Sequence, residues 1–234
     1  MKRLTLAEIE IKASKLRSIL GLNEQEPIHT KSILRKENIL TVYRPLSEMA
    51  YGLSLKYKDS KFILVNSNTR RCRQHYTIAH ELFHLYFEEN PTPHLCGSGV
   101  VKSNEEYNAD LFASAFLMPR NGVINIIPEE ELNKKVSLAT IIKLEQYFSV
   151  SRSSLLIRLK TLGLLNQSQF DEFSAMPVID TAKAYGYDTA LYNIGNENLV
   201  IGDFGSNARK LYELGKISEG HYIELLNSIS DVEG

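Results

Sequence analysis

The chain has 234 residues and a mass of 26.6 kDa, enough for one large domain or two small ones around a true hydrophobic core. Hydrophobic residues make up 43% and charged residues 24%, which excludes a disordered chain, a coiled coil and a collagen-like repeat, and no run approaches the roughly 18 apolar residues of a membrane span. The net charge of −1 argues against a general polyanion binder, yet residues 132–166 carry a net +5 and residues 167–234 a net −7, which points to segments with different tasks.

Leu6, Ile9, Ala13, Leu16 and Leu20 recur at helical intervals and predict an amphipathic helix over 5–20, stopped by Gly21. A short helix is expected from Ser32 to Asn38, then β-like runs Ile39–Tyr43, Tyr51–Tyr57 and Phe62–Val65. Tyr76, Ala79, Phe83 and Phe87 repeat along one face of a helix over 69–88, which Asn90-Pro91-Thr92-Pro93 ends. Residues 91–103 read as a loop, and Ser103 opens a helix that runs to Met118 before Pro119. Helices over 137–148 and 152–162 flank the turn Ser149-Val150-Ser151, with Gly163 as a stop. The polar stretch Asn166–Glu172 is expected to be a linker; β-like Asn198–Ile201 and helices over 206–214 and 218–229 follow. This order of elements describes an α+β protein. Cys72 and Cys96 have neither metal-type nor redox-type spacing, and Glu8, Glu10 and Lys12 interrupt any apolar core behind Met1-Lys2-Arg3, so the expected location is a reducing cytoplasm.

His80-Glu81-Leu82-Phe83-His84 carries the clearest chemistry. Residues four apart share one face of a helix, so two imidazoles can reach a common point, as a metal ion requires. Glu81 is rotated by about 100° from His80, placed for a bound water rather than for the metal itself. A catalytic zinc also wants a third protein ligand and one open position. The helix opening Ser103-Asn104-Glu105-Glu106-Tyr107-Asn108-Ala109-Asp110 can supply it. Glu106 and Asp110 share a face, so one can bind metal while the other accepts a histidine N–H. Glu105 is the close alternative, and Ser103-x-x-Glu106 is equally a capping box in which Glu106 would only satisfy the helix start.

His75-Tyr76-Thr77-Ile78-Ala79-His80-Glu81-Leu82-Phe83-His84, together with Glu106-Tyr107-Asn108-Ala109-Asp110-Leu111-Phe112-Ala113-Ser114-Ala115-Phe116-Leu117-Met118-Pro119, resembles the paired motifs of the ImmA/IrrE metallopeptidases of phages, mobile elements and bacterial stress responses. The likeness covers roughly residues 1–165; His75 stands where that family usually has Arg, and Phe83 where it usually has Gly, a change expected to narrow the cleft. The resemblance implies a zincin-like domain, expected over 1–130 with a small antiparallel or mixed sheet; the sequence pattern adds a helix-turn-helix-like segment over 131–165, and residues 166–234, which match the family less clearly, are expected to form a C-terminal α+β accessory domain. The resemblance also implies zinc, with manganese as the alternative, on His80, His84 and Glu106, Glu81 as general base, and Asp110 orienting a ligand histidine. The implied task is cleavage of a helix-turn-helix repressor encoded nearby; the rival reading is a non-proteolytic regulator that binds a repressor or DNA, or one half of a toxin–antitoxin-like pair.

Around the site, Lys61–Asn66 is the candidate edge strand for gripping an extended substrate, against the alternative of an ordinary core strand. Tyr76, Tyr107 and His94 are open candidates for oxyanion donor, His94 reading more simply as a solvated side chain, and Cys96 could ligate metal but reads more simply as an inert thiol. Arg152 and Arg158 on the second helix of the 137–162 pair make DNA contact conceivable, but Ile141, Leu144, Leu155, Leu156 and Leu159 demand burial and favour packing. His29, His75 and His221 have no partner pattern, and a second helix-turn-helix-like pair is expected over 199–229 as a partner-contacting appendage.

Overall fold

A computed structural model describes residues 1–88, 96–97, 103–132 and 134–230. The first helix, α1 (Leu6–Ile19), starts where Thr5 accepts from the Glu8 backbone N–H and Glu8 accepts in return from the Thr5 N–H at 2.8 Å. Of its predicted stripe, Ile9, Ala13, Leu16 and the capping Leu20 are buried, while Leu6 in the first turn is 48% exposed. After α2 (Thr30–Lys36) come β1 (Ile39–Arg44), β2 (Ala50–Tyr57) and β3 (Ser60–Asn66). Buried and half-buried residues alternate along β1 and most of β2, the pattern of strands with one covered face.

The sheet is mixed, in the order β4-β2-β3-β1-β5. β1 runs parallel to β3, whereas β2 pairs antiparallel with β3, with Leu53 opposite Leu64. β4 is the dipeptide Cys96–Gly97, paired with the far side of β2, and β5 (Val200–Ile201) closes the other edge on β1. Two expectations are corrected here. Lys61–Asn66 is a central strand, with ladders on both sides and Ile63 and Val65 fully buried, so it offers no free edge to a substrate. Within the expected loop 91–103, Cys96–Gly97 is a strand and Ser103 caps the next helix; residues 91–95 and 98–102, His94 included, lie outside the described residues.

The long helix α3 (Arg71–Phe87) crosses β2 and β3 and packs on α4 (Asn104–Leu117). Close approach is possible because β2 carries a glycine: a Cβ on Gly52 would sit 2.6 Å from the Leu64 carbonyl oxygen and 2.7 Å from the Thr77 methyl. Between the two helices Phe83, Phe87, Phe112 and Phe116 stack in a ladder with successive centroids 5.3–5.6 Å apart. Phe83 is fully buried there and belongs to the core, so it does not narrow the cleft.

Beyond α4 the chain forms α5 (Arg120–Ile126), α6 (Glu129–Leu132), α7 (Leu138–Phe148) and α8 (Arg152–Thr161). Ser149 takes the left-handed conformation that ends α7, and Ser151 caps α8. Ile141, Leu144, Leu155, Leu156 and Leu159 are fully buried in the main core. Arg152 and Arg158 are each 3% exposed and ion-paired with Glu145 and Glu10, each at 2.5 Å, so neither guanidinium is presented to a phosphate backbone.

Residues 166–172, expected to be a linker, begin α9 (Gln167–Ser174): the Asn166 side chain and Gln169 cap each other across the helix start. After α10 (Val178–Ala184) and a 3-10 turn at Ala190–Tyr192, the chain returns to the sheet as β5. On the way it binds the start of α3: Gln74 donates to the Gly195 carbonyl and accepts from the Asn196 amide. Two exposed helices follow, α11 (Phe204–Glu213) and α12 (Glu219–Ser230), joined through Gly215 and held by Tyr212 stacked on Tyr222. Among the described residues no helix is long and apolar enough to cross a membrane.

Candidate metal centre

His80 and His84 sit one turn apart in the middle of α3 and are 4% and 0% exposed. Their Nε2 atoms lie 3.2 Å from each other. From α4, the two Glu106 carboxylate oxygens lie 3.4 Å from His80 Nε2 and 3.3 Å from His84 Nε2. Glu106 is thus in the first turn of its helix, where the Ser103 hydroxyl caps its backbone N–H, but its carboxylate faces the imidazoles. The neighbouring Glu105 pairs instead with the amino terminus of Met1 and does not share the site.

The far nitrogens of both rings are tied down. His80 Nδ1 is 3.0 Å from Asp110 Oδ1, and His84 Nδ1 is 2.7 Å from Glu88 Oε1. A carboxylate oxygen only accepts, so each Nδ1 carries the hydrogen, and each Nε2 is left with its lone pair turned to the common point unless a second proton resides there. Two imidazole lone pairs and a carboxylate facing one another at 3.2–3.4 Å repel unless a cation or proton lies among them. Burial opposes an imidazolium at His80, but the hydrogen bonds to Asp110 and Glu106 and the charge of Glu81 outweigh it and lift its pKa to about 10. The site therefore wants positive charge, and two neutral nitrogens with a carboxylate form a zinc-type donor set. The structure thus brings together His80, His84, Glu106 and Asp110 as the spacing and the resemblance lead one to expect; Glu88, also in contact, was overlooked. Its signal was in the sequence: Glu88 continues the 80–84 row by one more turn.

Glu81 is 1% exposed, and its Oε1 has no hydrogen-bond partner among the described residues. It faces Gly52 of β2 and Cys96 of β4. His80, Glu81 and Cys96 form a second donor group, with one ligand atom from each lying within 4.8 Å of the others, as is also true of His80, His84 and Glu106. Burial, with the Glu81 and Glu106 charges, pushes the Cys96 thiol up, so without a cation nearby the sulfur stays protonated.

A cavity of about 340 Å³ opens beside His80 and Glu106, walled by Tyr107 and Asp110 of α4, Arg73 of α3 and Ile157 of α8. The Tyr76 hydroxyl donates to the Asp110 carbonyl at 2.6 Å, which occupies its proton in this arrangement, while the Tyr107 ring lies under the Arg3 guanidinium. His75 is buried away from the site, with Nδ1 on the Ser149 carbonyl.

Two histidines a turn apart, a buried glutamate between them and a carboxylate from the next helix are the donor arrangement of metal-dependent hydrolases. The model of one such family, the IrrE N-terminal-like domain (Peptidase M78), matches residues 34–160. That is more than half of the chain, and the protein belongs to this metallopeptidase family. Its substrate is accordingly a protein. Comparison with curated proteins finds no match.

Proposed function

We propose that the protein is a zinc-dependent endopeptidase whose substrate is a helix-turn-helix transcriptional repressor, cleaved to release phage, mobile-element or stress-response genes. Manganese is the alternative ion, and the resemblance of the two helical motifs to the ImmA/IrrE peptidases supports the choice of substrate. In this reading His80, His84 and Glu106 hold the ion, Asp110 orients His80, and residues 1–130 carry the catalytic unit. The convergence of two Nε2 atoms and one carboxylate on a single point, with both Nδ1 atoms anchored, is the observation that carries it.

When bound, zinc lowers the pKa of a coordinated water to about 7 and polarises the scissile carbonyl. The chain's own groups do the rest. Glu81 Oε1, buried and unpartnered, accepts the water's proton and returns it to the leaving amine. Asp110 and Glu88 hold the two rings so that Nε2 stays available as a ligand atom.

The test is incubation of the wild-type protein and E81Q with zinc and the repressor encoded beside it. Wild type should cut the repressor at a defined bond, and E81Q should be slower by about 10²–10⁴-fold with unchanged zinc content. A repressor left whole under every metal condition, or cut equally fast by E81Q, contradicts the proposal.

A further inference from the structure

The two-residue strand β4 occupies a telling position. Cys96 pairs with Gly52, and Gly97 with Ala50, on the side of β2 turned away from β3. An extended peptide that binds by adding a strand would use that same edge, the one nearest Glu81. The seating is close: a Cβ on Gly97 would lie 1.9 Å from the Met49 carbonyl oxygen, so any larger residue would force the strand off. Seated there, Cys96 is 4% exposed, lines the same cavity as His80 and Glu106, and brings its sulfur into one donor group with His80 and Glu81. The unpartnered Glu81 Oε1, itself buried, is directed at this corner of the site.

We propose that Cys96 is an additional metal ligand and that Cys96–Gly97 is a self-inhibiting latch, the sulfur taking the coordination position that the reacting water needs and the strand taking the edge that the substrate needs. This rests on the zinc-peptidase reading above. Latching breaks the Cys96 S–H bond, sends its proton to solvent, forms a sulfur–metal bond and frees one solvent molecule, with no change of oxidation state. Opening is the reverse, and an incoming peptide drives it by displacing β4 from β2. One event thereby clears both the metal and the binding edge.

The latch is tested by loading full-length wild type, C72S, C96S and C96A with cobalt(II) alone. Wild type and C72S should show the thiolate-to-cobalt absorption band in the near ultraviolet, C96S and C96A should lack it, and all four should bind a single cobalt. If about nine molecules in ten are latched, C96S should also cleave the repressor about tenfold faster than wild type. Equal cobalt binding with no thiolate band in wild type, or a band that persists in both Cys96 variants, overturns the latch and leaves the metal site standing. Failure of all four proteins to bind cobalt overturns the zinc-peptidase reading, and the latch with it.

Discussion

Removing the charge from either carboxylate behind the histidines should weaken zinc binding while leaving the fold intact. Asp110→Asn and Glu88→Gln keep shape and still offer an acceptor oxygen, so they isolate the charge-assisted part of each hydrogen bond. Supporting carboxylates of this kind are worth about 10–100-fold in metal affinity, or about 1.4–2.7 kcal/mol. The geometry ranks the two. Glu88 is nearer its ring, at 2.7 Å against 3.0 Å for Asp110, and its side chain is 12% exposed against 31%, so its charge is less screened. Glu88→Gln should therefore fall toward the 100-fold end and Asp110→Asn toward the 10-fold end. Competition with a chromophoric chelator measures the affinities, and circular dichroism checks the fold. Wild-type zinc affinity in both variants would refute the reasoning, because it would mean the rings need no anchor.

Other outcomes follow from the same structure. Because His80 is held up at about 10 against an ordinary 6.5, the metal-free protein carries a proton there at pH 8 that zinc must displace. Calorimetry in buffers of different ionisation heat should show proton release on zinc uptake, and uptake without it would contradict the assignment. The same shift means that His80 stabilises the metal-free fold fully below pH 6.5 and that this contribution is lost as the pH rises through about 10, which denaturation of the apoprotein at several pH values would reveal. Phe83→Ala, by emptying the ladder between α3 and α4, should cost about 3–5 kcal/mol in chemical denaturation; a loss below about 1 kcal/mol would show that the ladder is not tightly packed.

The parts of the fold legible in the sequence are those governed by local periodicity. The helical spacings of three to four residues that mark α1 and α3 are written in the sequence, and His80, Glu81 and His84 fall inside the helix that the second of them predicts. The convergence of Glu106 followed from the helix placement, while the exclusion of Glu105 required the amino terminus, which only the tertiary structure places beside it. Strand order has no periodic signal, which is why the sequence left β3 open as either an edge or a core strand, whereas it lies between β1 and β2. The dipeptide β4 is too short to show alternation and is held by its approach to Met49 and Gly52. By contrast, three short helices were readable and overlooked. α5, α6 and α10 each begin directly after a proline, Pro119, Pro128 and Pro177, a residue whose fixed φ suits a helix start. The polar run after Asn166 read as a linker on composition alone, whereas Asn166-x-x-Gln169 was a capping pair announcing α9.

Anomalous X-ray diffraction at the zinc absorption edge, from crystals grown with zinc, bears most directly on whether α3 and α4 build a single ion site. One peak about 2.0–2.2 Å from His80 Nε2, His84 Nε2 and a Glu106 oxygen is the expected result. A zinc-replete crystal whose only peaks lie elsewhere, with those three side chains in mutual contact and no ion among them, would contradict it.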